Sequence, residues 1–152
     1  MLLPAAGRAS RYHGSVTVTI DIRPIGVLRS ELVDLAEAPR QGDEGAPDAW
    51  LEIDDWARAA AVGIAVGDEL LLVTWLDRAR RDVLQVHPRG DQSRPLTGVF
   101  ATRSAHRPNP LGLHAVSVRA FEPGRLRVGP IEAIDGTPVL DIKPALGPRA
   151  SR

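Results

Sequence analysis

Apolar and polar residues alternate over much of the chain. Ser15–Ile22 sets Val16, Val18, Ile20 and Ile22 on one face, the pattern of a half-buried strand. Arg23–Pro24 ends that run, and Ile25–Arg29 continues extended. Ser30–Pro47 is acidic and rich in Pro and Gly, which predicts a long loop. Trp50–Ile53 predicts a short strand, after which Asp54 or Asp55 caps a helix to Val62, carried by its alanines. Gly67–Asp68 predicts a turn, and Glu69–Leu76 an apolar strand buried on both faces. Asp82–Val86 predicts a shorter strand and His87–Thr97 a second polar loop. Gly98–Thr102 and Leu113–Phe121 predict strands on either side of a Pro-rich bend. Pro123–Gly124 turns into a strand at Arg125–Gly129, and Asp135–Gly136 is a tight turn before a last strand, Pro138–Ile142. Many short strands, one helix and no helical crossovers predict a mainly-β fold: a small β-barrel with one short helix and long polar loops. Closure would leave no exposed strand edges.

The length, 152 residues, suits one domain with its own core, and 43% apolar residues is an ordinary globular share. No apolar run approaches the roughly 20 residues of a membrane-spanning helix. Met1–Gly14 carries Arg8 and Arg11 but no apolar segment after them, so it does not have the form of a signal peptide. The expected organisation is a loose leader at 1–14, a barrel domain at 15–146 and a frayed tail at 147–152. With no cysteine, disulfides and thiolate metal sites are excluded, and the default compartment is the cytoplasm.

Charge changes the picture more. The net charge is zero, yet residues 1–77 hold 13 Asp and Glu against 6 Arg, while residues 78–152 hold 13 Arg and Lys against 6 acids. Lys143 is the only lysine. Either the two halves neutralise each other across the fold, or the second half forms a basic face for RNA.

The common catalytic signatures are missing. There is no G-x-G-x-x-G, no G-x-x-x-x-G-K-[ST] and no G-x-S-x-G, and the four histidines lack metal-ligand spacing, so no metal is expected. One stretch is unusual: Gly98–Gly112, GVFATRSAHRPNPLG. Pro108 and Pro110 have fixed φ, and each holds the residue before it out of the helical region. Arg103, Ser104, His106, Arg107 and Asn109 are thereby presented on a stiff loop, either as a pre-organised site for a polar ligand or as a plain connection with its arginines in water. In a second stretch, DGTPVLDIKP, Asp141 and Lys143 share a strand face and suit a structural ion pair.

Taken together, RPIGVLRS (Arg23–Ser30), PRQG (Pro39–Gly42), GVFATRSAHRPNPLGL (Gly98–Leu113) and DGTPVLDIKP (Asp135–Pro144) resemble the TsaA/TrmO-like family in order and spacing. The resemblance implies a β-barrel methyltransferase that uses S-adenosylmethionine to methylate N6 of threonylcarbamoyl-adenosine in the tRNA anticodon loop. It implies a homodimer with the cofactor near the subunit interface. Carried over position by position, it implies cofactor-binding residues at Pro39, Arg40 and Gln41, at Leu76 and Asp77, at Arg103 and Leu113, and at Gly129, Pro130, Ile131 and Glu132. Arg89, Arg94, Arg107 and Asn109 are the expected tRNA contacts.

This chain departs from the family pattern in several places. Ala105 stands where proline is usual, His114 where serine is usual, Ala145 where tyrosine is usual, and Glu132 where aspartate is usual. Bacterial members carry a further C-terminal domain suited to gripping tRNA, whereas this sequence stops at Arg152.

Methyl transfer from a sulfonium needs no acid to assist the leaving group, but a ureido nitrogen must lose a proton. Asp135, Asp77 and His106 are the candidate bases. Two rival readings are the same fold and cofactor acting on another RNA or a small metabolite, and a non-catalytic nucleotide- or RNA-binding barrel.

Overall fold

The computed structural model describes residues 10–12 and 15–147. Of the expected leader, Ser10–Tyr12 (β1) pairs with Ser15–Thr17 (β2) in a separate hairpin; the rest of the leader, and the expected tail from 148, lie outside the described residues.

Six strands close into an antiparallel barrel. They are β3 (Gly26–Arg29), β4 (Ala49–Ile53), β5 (Glu69–Trp75), β8 (Leu111–Glu122), β9 (Arg125–Gly129) and β10 (Pro138–Pro144), in the circular order β10-β3-β4-β9-β8-β5. A two-stranded ribbon, β6 (Gln85–Val86) with β7 (Thr97–Gly98), stands apart. The period-2 pattern sets the wall. Along β8, Gly112, His114, Val116 and Val118 turn inward, and on β5 Leu70, Leu72 and Thr74 do the same. Leu28, Leu51, Leu126, Val128, Ile131 and Val139 complete an interior that is fully buried. Each such aliphatic side chain contributes about 1.5–3 kcal/mol on leaving water.

The connections sort by barrel end. The segments 30–48, 76–110 and 130–137 all leave one end. The opposite end is plugged by residues 54–68, where Ala57 and Ala61 are buried against the core.

Several expectations are corrected. Ser15–Ile22 is not a half-buried strand: pairing stops at Thr17, and Val18, Ile20 and Ile22 are exposed. Alternation reports an apolar face but not whether a surface covers it, and here β10 already holds the β3 edge. The helix is 3₁₀, at Asp55–Ala61, and no side chain caps it. The strand at Glu69–Trp75 is buried on its inner face only. The predicted strand Asp82–Val86 shrinks to two residues. Of the predicted strand Gly98–Thr102 only Gly98 pairs, in β7, because Val99–Ala101 turn into a 3₁₀ segment, and Arg107 takes the Val99 and Thr102 carbonyls. Leu113–Phe121 and Arg125–Gly129 are strands as expected, and the Asp135–Gly136 turn forms with Gly136 at φ +83°.

Among the described residues, no helix is long and apolar enough to cross a membrane. Nor do those residues group three or more His, Asp or Glu where a metal ion could be held.

The candidate functional site

The predicted cofactor, base and tRNA-contact residues all lie in, or next to, the three long connections that leave one barrel end; the Asp141–Lys143 pair lies farther along β10. Contacts knit these positions together. Arg103 donates from Nη2 to the Leu113 carbonyl at 3.3 Å, which brings the signature loop back over the start of β8. The Leu76 amide donates to the Pro110 carbonyl at 2.8 Å, tying the end of β5 to the same place. The PRQG loop meets the 130–132 segment so closely that a Cβ on Gly42 would lie 2.9 Å from the Pro130 carbonyl oxygen. Ile131 donates its amide to the Pro47 carbonyl and buries its side chain completely, so only its backbone can face a ligand.

The signature loop is held from beneath. Arg81 donates to the Pro108 carbonyl at 2.7 Å and to Asn109 Oδ1 at 3.1 Å, while its guanidinium stacks on Trp75. Arg107 turns inward, donating to the carbonyls of Val99 and Thr102. Arg107 and Asn109, expected as tRNA contacts, are thus engaged in shaping the loop. Of the other two, Arg89 forms an ion pair with Glu44 at 3.0 Å, and Arg94 with Asp91 at 3.6 Å.

The candidate bases differ in what already occupies them. Asp135 accepts from the Ser30 amide at 3.0 Å and so fastens the root of the first long loop. His106 accepts at Nδ1 from the Arg80 amide at 2.9 Å, which leaves a neutral ring with an N–H at Nε2, a donor rather than a base. Asp77 is exposed, with no side-chain partner among the described residues.

A polar network that sequence reasoning did not single out as a site lies under the mouth. His114 is 5% exposed; its Nδ1 lies 2.6 Å from Glu132 Oε1 and its Nε2 lies 2.8 Å from Thr74 Oγ1. Its only sequence signal was a histidine where the family pattern has serine.

Charge is arranged around this end as well. Among the described residues, three ion pairs, Arg89–Glu44, Arg119–Asp48 and Arg127–Asp48, join the basic second half to the acidic first half. Among the described residues, the guanidinium groups of Arg23, Arg40, Arg78, Arg81, Arg103 and Arg107 have no carboxylate partner, and all but that of Arg23 belong to the site end. The Arg89 hydrogen bond lowers the Glu44 carboxyl below its ordinary range. Asp82 is lowered by Arg80, and Asp91 by Ser93.

Two clefts elsewhere, one beside Trp56 and Arg23 and one beneath the 3₁₀ helix, are lined by none of the predicted site residues.

The model of the family described as "tRNA-methyltransferase O N-terminal domain" matches residues 27–147. An S-adenosyl-L-methionine-binding protein of Archaeoglobus fulgidus is 38% identical over 122 residues, covering 80% of this chain and 86% of its own length. Another from that organism, a "Probable S-adenosyl-L-methionine-binding protein", is 40% identical over 125 residues, covering 82% of this chain but 34% of its own length. The crystal structure of TrmO from Pseudomonas aeruginosa superposes with a TM-score of 0.69 at 32% identity, over 90% of this chain and 61% of that one. This chain therefore spans only part of the longer relatives. With the barrel, the loops at its mouth and these matches in agreement, the chain belongs to the tRNA-methyltransferase O N-terminal domain family.

Proposed function

We propose that this protein is an S-adenosylmethionine-dependent methyltransferase that methylates N6 of threonylcarbamoyl-adenosine in the tRNA anticodon loop, working as a homodimer in the cytoplasm. The observation that carries the reading is the gathering of all the predicted cofactor positions at one barrel mouth, where the unpaired arginines also collect.

The groups present suit the cofactor chemically. Arg103 offers a half-free guanidinium for a carboxylate, Leu76 and Leu113 offer apolar surface, and Asp77 and Glu132 offer carboxylates near a cation. When bound, S-adenosylmethionine supplies an electrophilic methyl group on a sulfonium that departs as a neutral thioether. The protein's work is then to align the nitrogen nucleophile, exclude water and take one proton. Asp77, the candidate base with no partner, takes that proton. His106 donates from Nε2 to an oxygen of the RNA. Arg78 and Arg40 attract the phosphates, and a target base splayed out of the loop enters the mouth.

The test is incubation with methyl-labelled S-adenosylmethionine and total tRNA from cells with and without the threonylcarbamoyl modification. Label entering only the modified tRNA is the expected result. Label in a small metabolite or another RNA would favour the rival substrate, and cofactor binding without transfer would favour a non-catalytic barrel.

A further inference from the structure

We propose that His114 is a positioning residue for the cofactor: it holds Glu132 by one carboxylate oxygen so that the other faces the ligand. This rests on the cofactor reading above and adds a residue to it.

The argument begins with the inner face of β8. Gly112, His114, Val116 and Val118 point into the barrel, and His114 is the one ionisable side chain among them. Such a ring must have both nitrogens engaged, and it has. An ionised Glu132 can only accept, so Nδ1 carries the hydrogen, and in the neutral ring Nε2 accepts the Thr74 hydroxyl proton. The ring is fixed from two sides, and Glu132 is fixed with it.

The second oxygen is the telling one. Glu132 Oε2 has no partner among the described residues, although the side chain is only 20% exposed. It lies toward the PRQG loop, 3.3 Å from where a Gly42 Cβ would be. Two glycines keep the space around the network clear. A Cβ on Gly112 would sit 2.4 Å from Thr74 Oγ1 and 2.6 Å from His114 Nε2, and one on Gly42 would press on the Pro130 carbonyl. A histidine serving only the core would not require a carboxylate whose second oxygen stays open to solvent beside the PRQG loop. That acceptor suits a hydroxyl or amine donor of S-adenosylmethionine.

Calorimetry with S-adenosylmethionine, alongside thermal unfolding, tests this. His114→Leu removes the donor, and His114→Asn keeps an N–H near the Nδ1 position. Glu132→Gln can still accept from His114 through its amide oxygen but replaces Oε2 with a donor. We expect His114→Leu and Glu132→Gln each to weaken binding about tenfold or more, the scale of a charge-assisted hydrogen bond lost from a shielded site. His114→Asn should bind within about threefold of the parent, and the Leu/Gln double variant should be no worse than the weaker single one, because the pair acts as a unit. Thermal midpoints of His114→Asn and Glu132→Gln should stay near the parent's. Parent-like affinity in folded His114→Leu, or in Glu132→Gln if the leucine variant does not fold, overturns the proposal. So does a folded His114→Asn as impaired as His114→Leu. A parent protein that does not bind S-adenosylmethionine at all would instead overturn the cofactor reading beneath it.

Discussion

Gly112 shows how narrowly single positions are set at the mouth. It lies opposite Thr74 across the β5–β8 ladder, and the space its side chain would fill is already occupied by the Thr74 hydroxyl and the His114 ring. Gly112→Ala must therefore push one of them aside. Overpacking of this kind costs about 1–3 kcal/mol, and a urea melt should show the loss as a lower midpoint with an unchanged slope. Asp77 makes a different kind of prediction. Its carboxylate is exposed and unpartnered, so Asp77→Asn should leave the fold intact. If it is the base, single-turnover methylation should slow by about 10²-fold or more; an unchanged rate would return the role to Asp135 or to a mechanism without a side-chain base.

At the scale of elements, the two long loops are held by different means. The signature loop hangs on Arg107, which gathers the carbonyls of Val99 and Thr102 that a strand would have paired in a ladder. Arg107→Met keeps the stem and removes these donors. The Thr102 carbonyl then loses its donor, while the Val99 carbonyl keeps the Thr102 amide and hydroxyl; the loss costs about 1–3 kcal/mol, and limited proteolysis should cut near residues 99–107 faster than in the parent. The PRQG loop is clasped to the turn at Pro88–Gly90 by Glu44 and Arg89. Because the Arg89 hydrogen bond lowers the Glu44 pKa in the folded state, the clasp's contribution is fully present above the ordinary carboxylate pKa. It is lost as pH falls through the lowered folded value. Amide protection factors across residues 39–44, taken relative to intrinsic exchange at each pH, should fall on acidification through that range, and Arg89→Gln should remove most of the pH dependence.

For the whole molecule, the question is which arginines meet a polyanion. Arg89 and Arg94 are already paired with acids, whereas among the described residues the Arg78 side chain donates only to the Val33 carbonyl, at 3.4 Å. Arg78→Glu should therefore weaken tRNA binding more than Arg89→Glu or Arg94→Glu, and should reduce the slope of log affinity against log salt by about one. Filter binding over a salt series measures this. Equal effects from all three, or none, would place the tRNA surface elsewhere. Light scattering at micromolar concentration tests the homodimer, with a mass near twice 16.4 kDa as the expected result.

What the sequence determined by itself was the class of fold and which of its loops leave one barrel end together. Period-2 alternation in Leu113–Phe121 and Arg125–Gly129, with turn residues at Pro123–Gly124 and Asp135–Gly136, is a local signal that survives into the structure because those strands have partners on both sides. The long signatures likewise named the loops that meet at the mouth. Tertiary structure decided what depends on neighbours distant in the chain. Val18, Ile20 and Ile22 alternate as well as any strand, yet they stay uncovered because β10 had already closed the edge of β3. Val99–Ala101 lost strand character to a side chain eight residues away from Val99. His114 looked like an isolated departure from a pattern until barrel closure set Thr74, 40 residues before it, and Glu132, 18 residues after it, against its two ring nitrogens. Sequence carries propensity and periodicity; burial, and the partners a buried polar group requires, exist only once the barrel closes.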